Sequence, residues 1–175
     1  MSFVNVVTIG VICLMFGSQA AFAQKPVPPG FEAMSDEIPL PEASFTEQPA
    51  RTVTLQSLKG KIVILNLWAT WCGPCVQEMP ALARLQDILP SDTFQVVAVS
   101  QDKGGLSVSK PFLKKLDAER IKPYADPLGN LARALNTRGL PSTFIISSNG
   151  VFIARVEGAL QWDSEEVINY LESLE

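Results

Sequence analysis

The feature that most constrains the fold of this chain is a hydrophobic run that leads directly into two closely spaced cysteines. Residues 61–67 (KIVILNL) are mostly aliphatic and rich in β-branched side chains, which predicts a strand buried on both faces of a sheet. Aliphatic side chains then recur at helical spacing across residues 76–89, which predicts a helix. The motif Cys-Gly-Pro-Cys at residues 72–75 therefore lies where a buried strand turns into a helix.

The rest of the chain alternates between strand and helix patterns in the same way. Asn149-Gly150 indicates a hairpin turn, and Asp163 or Ser164 is expected to cap the last helix, with Glu166 in capping-box position relative to Asp163. A parallel βαβ unit, then an antiparallel hairpin and a helix, predicts an α/β fold with a central mixed sheet and helices on both faces. The other predicted strands are 51–55, 94–99, 124–126, 143–147 and 151–156, and the other predicted helices are 110–118 and 128–135.

Three regions of different composition follow one another along the chain. Residues 1–23 carry no charge, contain a nearly unbroken apolar run and end in Ala-Phe-Ala, which predicts a signal peptide cleaved near Ala23 or an N-terminal membrane anchor. Residues 24–50 are rich in proline and are interpreted as an extended lead-in. Residues 51–175 form the predicted folded domain, and export would place its cysteines where disulfides persist.

The composition excludes several classes of site. The chain has no His, so we expect no Ser-His-Asp or Cys-His nucleophile and no His-ligated metal. Three cysteines cannot complete a four-thiolate zinc site, and we predict neither a metal nor a cofactor. A net charge of −4 argues against a nucleic-acid partner, which requires a basic face. The cysteines are therefore the most reactive side chains in the sequence.

The position of the cysteine pair suits thiol–disulfide exchange. The free N–H groups and the positive dipole end of a helix N-terminus stabilise a thiolate at Cys72. Pro74 fits the first helical turn, where an N–H group has no partner to lose. Cys75, one turn further, can attack a mixed disulfide that Cys72 forms with a substrate. An inert disulfide and half of a metal site remain the alternatives.

Residues 61–82 (KIVILNLWATWCGPCVQEMPAL) resemble the active-site segment of the thioredoxin superfamily, and more narrowly the TlpA/ResA-like thiol-disulfide oxidoreductases. Pro80 matches the helix-kinking proline of thioredoxins, residues 138–143 (RGLPST) match the loop that carries the cis-proline, and residues 157–160 resemble the thioredoxin ending. The resemblance extends over about residues 38–175. It implies a thioredoxin-like fold and an enzyme that exchanges protein disulfides.

The resemblance also implies roles for individual residues. Cys72 and Cys75 would form the redox disulfide, with Cys72 as the attacking thiol and Cys75 as the resolving thiol. The Leu140-Pro141 bond would be cis and would face the two sulfurs, which leaves the Leu140 backbone free to pair with an extended substrate. An ordinary loop proline is the alternative at position 141.

The residues around the cysteines receive further roles from the same resemblance. Trp71, Gly73 and Pro74 would contact the substrate, with Trp71 also shielding the sulfur, whereas Trp68 would pack in the core beneath. A purely structural role is the alternative for both tryptophans.

One position departs from thioredoxin itself. Asn66 stands where thioredoxins have a buried Asp, and we expect it to order the backbone. In TlpA/ResA-like proteins the acidic residue lies three positions after the second cysteine, which is Glu78 here. Glu78 could relay the proton of Cys75 or could simply face solvent.

The implied partners are proteins. The TlpA/ResA-like group reduces cysteine pairs of exported bacterial proteins in the periplasm, among them apocytochrome c and copper-site proteins of cytochrome oxidase assembly. The segments quoted above are most similar to TlpA, which favours the copper branch. A membrane thiol reductase of the CcdA/DsbD type would supply electrons, and the protein would be a monomer.

A copper-handling thiol chaperone without exchange activity is the alternative from another class, since two thiolates suit Cu(I). Peroxide reduction is a third alternative, but the sequence lacks the separate peroxidatic cysteine that it requires.

Overall fold

The computed structural model describes residues 27–35, 38–48 and 51–175, and a single eight-stranded mixed sheet forms its centre. The strands are β1 (Phe31–Ala33), β2 (Ser44–Gln48), β3 (Arg51–Thr54), β4 (Ile62–Trp68), β5 (Phe94–Ser100), β6 (Pro123–Ala125), β7 (Ser142–Ile146) and β8 (Phe152–Glu157). The helices are α1 (Gly73–Ile88), α2 (Leu106–Lys115), α3 (Asn130–Ala134) and α4 (Glu165–Glu172), and a short 3-10 helix spans Leu55–Leu58. The strand order across the sheet is β1-β8-β7-β4-β5-β6-β2-β3.

Strand β4 lies at the centre of this sheet and joins its two kinds of pairing. It pairs parallel to β5 through the α1 crossover and antiparallel to β7 on its other side. The β7–β8 hairpin turns at Ser148-Asn149-Gly150, where Gly150 has a φ of 79° and donates its N–H to the Ser147 carbonyl at 2.9 Å. The predicted mixed α/β sheet is therefore confirmed.

The side chains of β4 alternate between two hydrophobic clusters, one on each face of the sheet. Ile62, Ile64 and Trp68 pack with α1, α2 and α4, whereas Val63, Leu65 and Leu67 pack on the opposite face with α3. All seven β4 residues are buried. Helices cover both faces of the sheet. Residues 61–67 therefore show no alternation of polar and apolar side chains because both faces of β4 are buried, as predicted.

The sheet begins earlier in the chain than the predicted boundary at residue 51. Strands β1 and β2 lie within the segment interpreted as a Pro-rich lead-in, and β1 pairs antiparallel with β8. Phe31 of β1 is buried with its ring centroid 5.9 Å from that of Trp162 and 5.2 Å from that of Tyr170. A strand of three residues has no periodic pattern of its own, so only its partners more than a hundred residues away could reveal it.

Helix α2 begins earlier than predicted, whereas the N-cap of α4 is one of the two residues predicted for it. Helix α2 starts four residues before the expected Lys110, directly after Gly105 with a φ of 56°, and the left-handed Asp117 lies just beyond its end. The N-cap of α4 is Ser164, which accepts a hydrogen bond from the Val167 N–H at 3.4 Å. The capping box from Asp163 is therefore wrong, because that carboxylate pairs with the side chain of Arg84.

The predicted targeting segment at residues 1–23 lies outside the described residues. Within the described part of the chain, no helix has the length and apolar character required to cross a bilayer.

A buried carboxylate holds the connection between β4 and α1 in place. Asp102, two residues after the end of β5, accepts hydrogen bonds from the Thr70 N–H at 3.0 Å and the Thr70 hydroxyl at 2.7 Å. The Ser100 hydroxyl donates to the same carboxylate at 2.7 Å, and Asp102 is 4% exposed. Since Thr70 precedes the cysteine motif by two residues, Asp102 fixes how the chain enters α1.

We predict that Asp102→Ala lowers the free energy of unfolding by about 1–3 kcal/mol, because the donors of Thr70 and Ser100 lose their shared acceptor in a buried site. Urea denaturation with an unchanged m-value measures the loss. The matched control is Asp92→Ala, which removes an exposed carboxylate from the turn before β5 and should change stability by no more than about 0.5 kcal/mol. Equal losses in the two variants would contradict this role of Asp102.

Candidate active site

The two cysteines of the motif form a disulfide at the N-terminus of α1. Cys72 is the N-cap residue of this helix, and its Cα lies 5.3 Å from that of Cys75 across the disulfide. The Cys75 N–H points at Sγ of Cys72 at 3.3 Å. In the reduced protein the same N–H and the end of the helix dipole favour a thiolate on Cys72.

The two sulfurs differ in access to solvent. Cys72 retains 6% of its surface, whereas Cys75 is completely buried behind it. Gly73 and Pro74 begin the helix between them, and a Cβ built on Gly73 would meet nothing within 4 Å. A reacting partner can therefore approach the pair only from the Cys72 side, over the bare backbone of Gly73.

The two neighbouring tryptophans face in opposite directions. Trp71 is 70% exposed and is the next residue to Cys72. Trp68 has no exposed surface, and its ring lies 6.3 Å from that of Phe112 in α2. The geometry leaves Trp71 available for contacts with a partner, whereas Trp68 belongs to the core as the sequence analysis expected.

The loop before β7 lies at the end of the sheet where the cysteine motif begins. The Leu140-Pro141 peptide bond is cis. In the sheet Leu67 of β4 is paired with Ser142 of β7, so the cis bond lies at the edge where β4 leads into the cysteine motif. Leu140 lines the same cavity as Trp71. Sequence positions almost seventy residues apart are thus brought together around one site.

Glu78 is buried one helical turn beyond Cys75. It is 3% exposed, and its carboxylate accepts hydrogen bonds from Asn66 Nδ2 at 2.8 Å, from the Leu160 N–H at 3.0 Å and from Trp162 Nε1 at 2.9 Å. The solvent-facing alternative for Glu78 is therefore wrong. The carboxylate lies in the interior and accepts from three donors, one on β4 and two in the segment before α4.

The side chain of Asn66 also makes contacts other than the predicted ones to the backbone. Its side-chain amide donates to Glu78 and, at 2.9 Å, to the Thr143 hydroxyl of β7. These are contacts between side chains, so the expectation that Asn66 orders the backbone is wrong. The amide instead fixes the orientation of the Glu78 carboxylate relative to the sheet.

Burial raises the pKa of Glu78 above its ordinary value of 4.5, although hydrogen bonds from Trp162, Leu160 and Asn66 act in the opposite direction. A carboxyl group with a raised pKa accepts a proton more readily from a neighbouring thiol. The folded protein then binds this proton more tightly than the unfolded chain does. The stability that this tighter proton binding adds to the folded state is complete below pH 4.5. It is lost as the pH rises through the raised pKa of Glu78.

Sequence reasoning missed several residues around the site. Trp162 donates to Glu78 from a position 84 residues away, and only its place before the last helix could have drawn attention to it. Asp126 is 3% exposed and accepts from the N–H groups of Asn130 and Leu131, both at 2.9 Å. An aspartate shortly before a helical pattern is a recognisable capping signal, and here it fixes α3 next to the site.

The described residues contain no group of three or more His, Cys, Asp or Glu side chains that could hold a metal ion. The disulfide is the reactive element of the site, and the chemistry that its surroundings support is two-electron exchange with another disulfide or dithiol.

Comparison with known proteins agrees with this chemistry. The Redoxin family model matches residues 35–173. A thiol-disulfide oxidoreductase ResA from Oceanobacillus iheyensis is 37% identical over 115 residues, which cover 66% of this chain and 59% of the relative. A ResA from Bacillus thuringiensis subsp. konkukian is 28% identical over 134 residues, which cover 77% of this chain and 75% of the relative.

A solved structure gives the same result. The crystal structure of a candidate thiol:disulfide interchange protein DsbE from Chlorobium tepidum superposes with a TM-score of 0.69 at 28% identity, covering 81% of this chain and 99% of that one. The predicted resemblance to thioredoxin-like proteins of the ResA type is confirmed. The chain belongs to the Redoxin family, and it is a thioredoxin-like thiol-disulfide oxidoreductase.

Proposed function

We propose that this protein reduces disulfides of exported proteins, with Cys72 as the attacking thiol, Cys75 as the resolving thiol and Glu78 as the proton acceptor. The observation that carries the proposal is the asymmetry of the cysteine pair at the start of α1. Cys72 keeps access to solvent and receives an N–H group at its sulfur, whereas Cys75 is buried one turn from a buried carboxylate.

In the first step the Cys72 thiolate attacks one sulfur of a substrate disulfide. The substrate S–S bond breaks, a mixed disulfide with Cys72 forms, and the released substrate thiolate takes a proton from solvent. The N-terminal end of α1 supports this step because it stabilises the attacking thiolate.

In the second step the Cys75 thiol loses its proton and attacks Sγ of Cys72. The mixed disulfide breaks, the second substrate thiol is released, and Cys72–Cys75 becomes the disulfide described above. Two electrons have then passed to the substrate. Glu78 is the nearest buried base along α1, and its raised pKa brings the carboxyl group closer to the pKa of a thiol, which makes the proton transfer easier.

The substrate segment is proposed to lie against the loop before β7. No hydrogen bond to the Leu140 N–H or carbonyl occurs within the described residues, so both groups are available to an extended chain. Such a chain would pair with Leu140 as a short added strand beside Pro141 and would contact Trp71, Gly73 and Pro74 next to the sulfurs.

Repeated turnover requires an external donor of two electrons. We propose a membrane thiol reductase of the CcdA/DsbD type for this role, with a monomeric protein acting in the bacterial periplasm. Residues 1–23 would be a signal peptide cleaved near Ala23 or an uncleaved tether. Residues 24–50, which contribute β1 and β2 to the sheet, would lead into the catalytic domain at residues 51–175. The proposed substrates are cysteine pairs of apocytochrome c or of copper-site proteins.

We predict that Cys72→Ser abolishes disulfide reduction, whereas Cys75→Ser stops after the first step and accumulates a mixed disulfide with the substrate. Insulin reduction measures turnover, and mass spectrometry of non-reduced samples detects the trapped adduct. The reduction potential of the pair should be near or below that of glutathione. A strongly oxidising potential would reverse the proposed direction. Copper binding to the dithiol without any exchange would instead support a copper-handling chaperone.

We predict that Glu78→Gln slows the second step by about 10²-fold, the usual contribution of one positioned base, while the first step is much less affected. Stopped-flow measurement of mixed-disulfide decay separates the two steps. The matched control is Glu172→Gln, an exposed glutamate in the last turn of α4. Equal decay rates in the wild type and in Glu78→Gln would remove Glu78 from the mechanism.

The same variant also tests the raised pKa of Glu78. The wild-type free energy of unfolding should decrease relative to that of Glu78→Gln as the pH rises above 4.5, because only the wild type loses the Glu78 proton from the folded state. Chemical denaturation at a series of pH values between 4 and 8 measures the difference. If the wild type instead became more stable relative to Glu78→Gln as the pH rises, the pKa of Glu78 would be lowered by its three donors.

A further inference from the structure

A groove beside the cysteine pair carries positive charge in a protein that is negatively charged overall. A solvent-open cavity of about 410 Å³ lies next to Trp71 and Leu140, and we call it the Trp71 groove. Its polar wall includes Gln101, Arg133, Asn136 and Arg138. Of the described residues that line it, two are arginines and none is acidic, although the whole chain has 18 Asp+Glu against 14 Lys+Arg.

We propose that the Trp71 groove selects substrate segments with an acidic side chain close to the exchanging cysteines, and that Arg133 and Arg138 recognise this side chain. The inference rests on the proposed disulfide exchange, because it concerns the segment held while Cys72 reacts. Trp71 lines the groove and is the residue before Cys72. When a substrate cysteine is bound to Cys72 in the mixed disulfide, the residues that flank this cysteine would therefore lie over the groove.

Arg133 is held in place without a carboxylate partner. Its Nη1 donates to the Leu128 carbonyl and its Nη2 to Asn130 Oδ1, both at 2.7 Å. Among the residues that the structure describes, no carboxylate forms an ion pair with it. A guanidinium has five N–H donors, so the exposed head retains donors for an incoming carboxylate. The contacts already made reduce the entropy that binding would cost.

The helix that carries Arg133 is itself fixed. The buried Asp126 carboxylate accepts hydrogen bonds from the N–H groups of Asn130 and Leu131 at the start of α3. This contact holds the wall of the groove against the end of β6. The Arg133 charge is therefore presented from a rigid element rather than from a free loop.

Arg138 is the second charge and lies two residues before Leu140. Its side chain is 65% exposed, and among the described residues its one ion-pair partner is Glu32, with Oε1 at 3.9 Å. Glu32 is already bound by Arg155. A long contact between exposed groups contributes little, so Arg138 can turn to a substrate carboxylate at small cost.

The occupant that fits this groove is an extended acidic segment of a substrate protein. A basic segment would meet two like charges, and a purely apolar segment would cover the guanidinium groups without pairing them. Each exposed ion pair contributes modestly, and we expect about a two- to fivefold gain in kcat/KM per arginine. The gain should be greatest at low salt, where charges are least screened.

The test uses three peptides that contain the same Cys-x-x-Cys disulfide, flanked on both sides by Asp and Glu, by Asn and Gln, or by Lys. Reduction by the wild-type protein is followed at about 0.01 M and about 1 M salt, where the Debye lengths are about 30 Å and 3 Å. We expect the acidic peptide to have the highest kcat/KM at low salt and to lose this advantage at high salt.

Variants assign the preference to the two arginines. Arg138→Gln and the double variant Arg133→Gln/Arg138→Gln should reduce the ratio of acidic to neutral kcat/KM stepwise towards one. Arg138→Lys should retain part of the preference because the charge remains. The matched control is Lys110→Gln/Lys115→Gln, which removes two exposed charges from α2 outside the groove. If Arg133→Gln disturbs folding, Arg138→Gln alone is used for the test, since the long contact with Glu32 is the one ion pair that Arg138 forms with the described residues.

The outcomes separate this inference from the function on which it rests. Equal kcat/KM for all three peptides, or a preference for the basic one, would overturn the acidic selection and leave disulfide exchange intact. An acidic preference that survives in the double arginine variant, or that disappears equally in the lysine control, would also overturn it. Failure to reduce any of the peptides would contradict the proposed function itself.

Discussion

The buried carboxylate of Glu78 is the contact on which the arrangement of the site depends. An ionised carboxylate in an apolar interior is costly unless donors surround it, and here the donors come from Asn66 on β4, Leu160 and Trp162. One side chain on α1 thereby ties its helix to the sheet and to the segment before α4. The same burial that makes the charge costly raises the pKa of Glu78, so the structural role and the proposed proton-accepting role have one physical origin.

Two further buried carboxylates act on the same edge of the sheet. Asp102 follows the end of β5 and binds the Thr70 N–H, and Asp126 follows the end of β6 and binds the first N–H groups of α3. The carboxyl ends of parallel strands meet at one edge, where α/β proteins place their sites. In this protein that edge carries the entry to the cysteine motif and the wall of the Trp71 groove, each fixed by its own carboxylate.

The parts of this structure that could be predicted are those whose cause lies in neighbouring residues. The burial of β4 follows from the run at 61–67, and the junction with α1 follows from the change of hydrophobic period around the cysteine motif. The burial of Glu78 and the contacts of Asn66 depend on Trp162 and Thr143, which lie 84 and 77 residues away from them. No local pattern contains that information, and for the same reason the short strand β1 resembled an irregular lead-in.

The division between fixed and exposed residues suggests how one reaction can serve particular substrates. Cys75, Glu78 and Trp68 are enclosed, and any change in them alters packing as well as chemistry. Trp71 is exposed next to Cys72, and Arg133 and Arg138 stand in the open groove beside it, where replacements leave the core untouched. In the proposed mechanism, electron transfer therefore depends on the interior, whereas the choice of substrate depends on a few surface side chains. An acidic preference set by two arginines is selection of this kind, because it changes the encounter with Cys72 and not the reaction that follows.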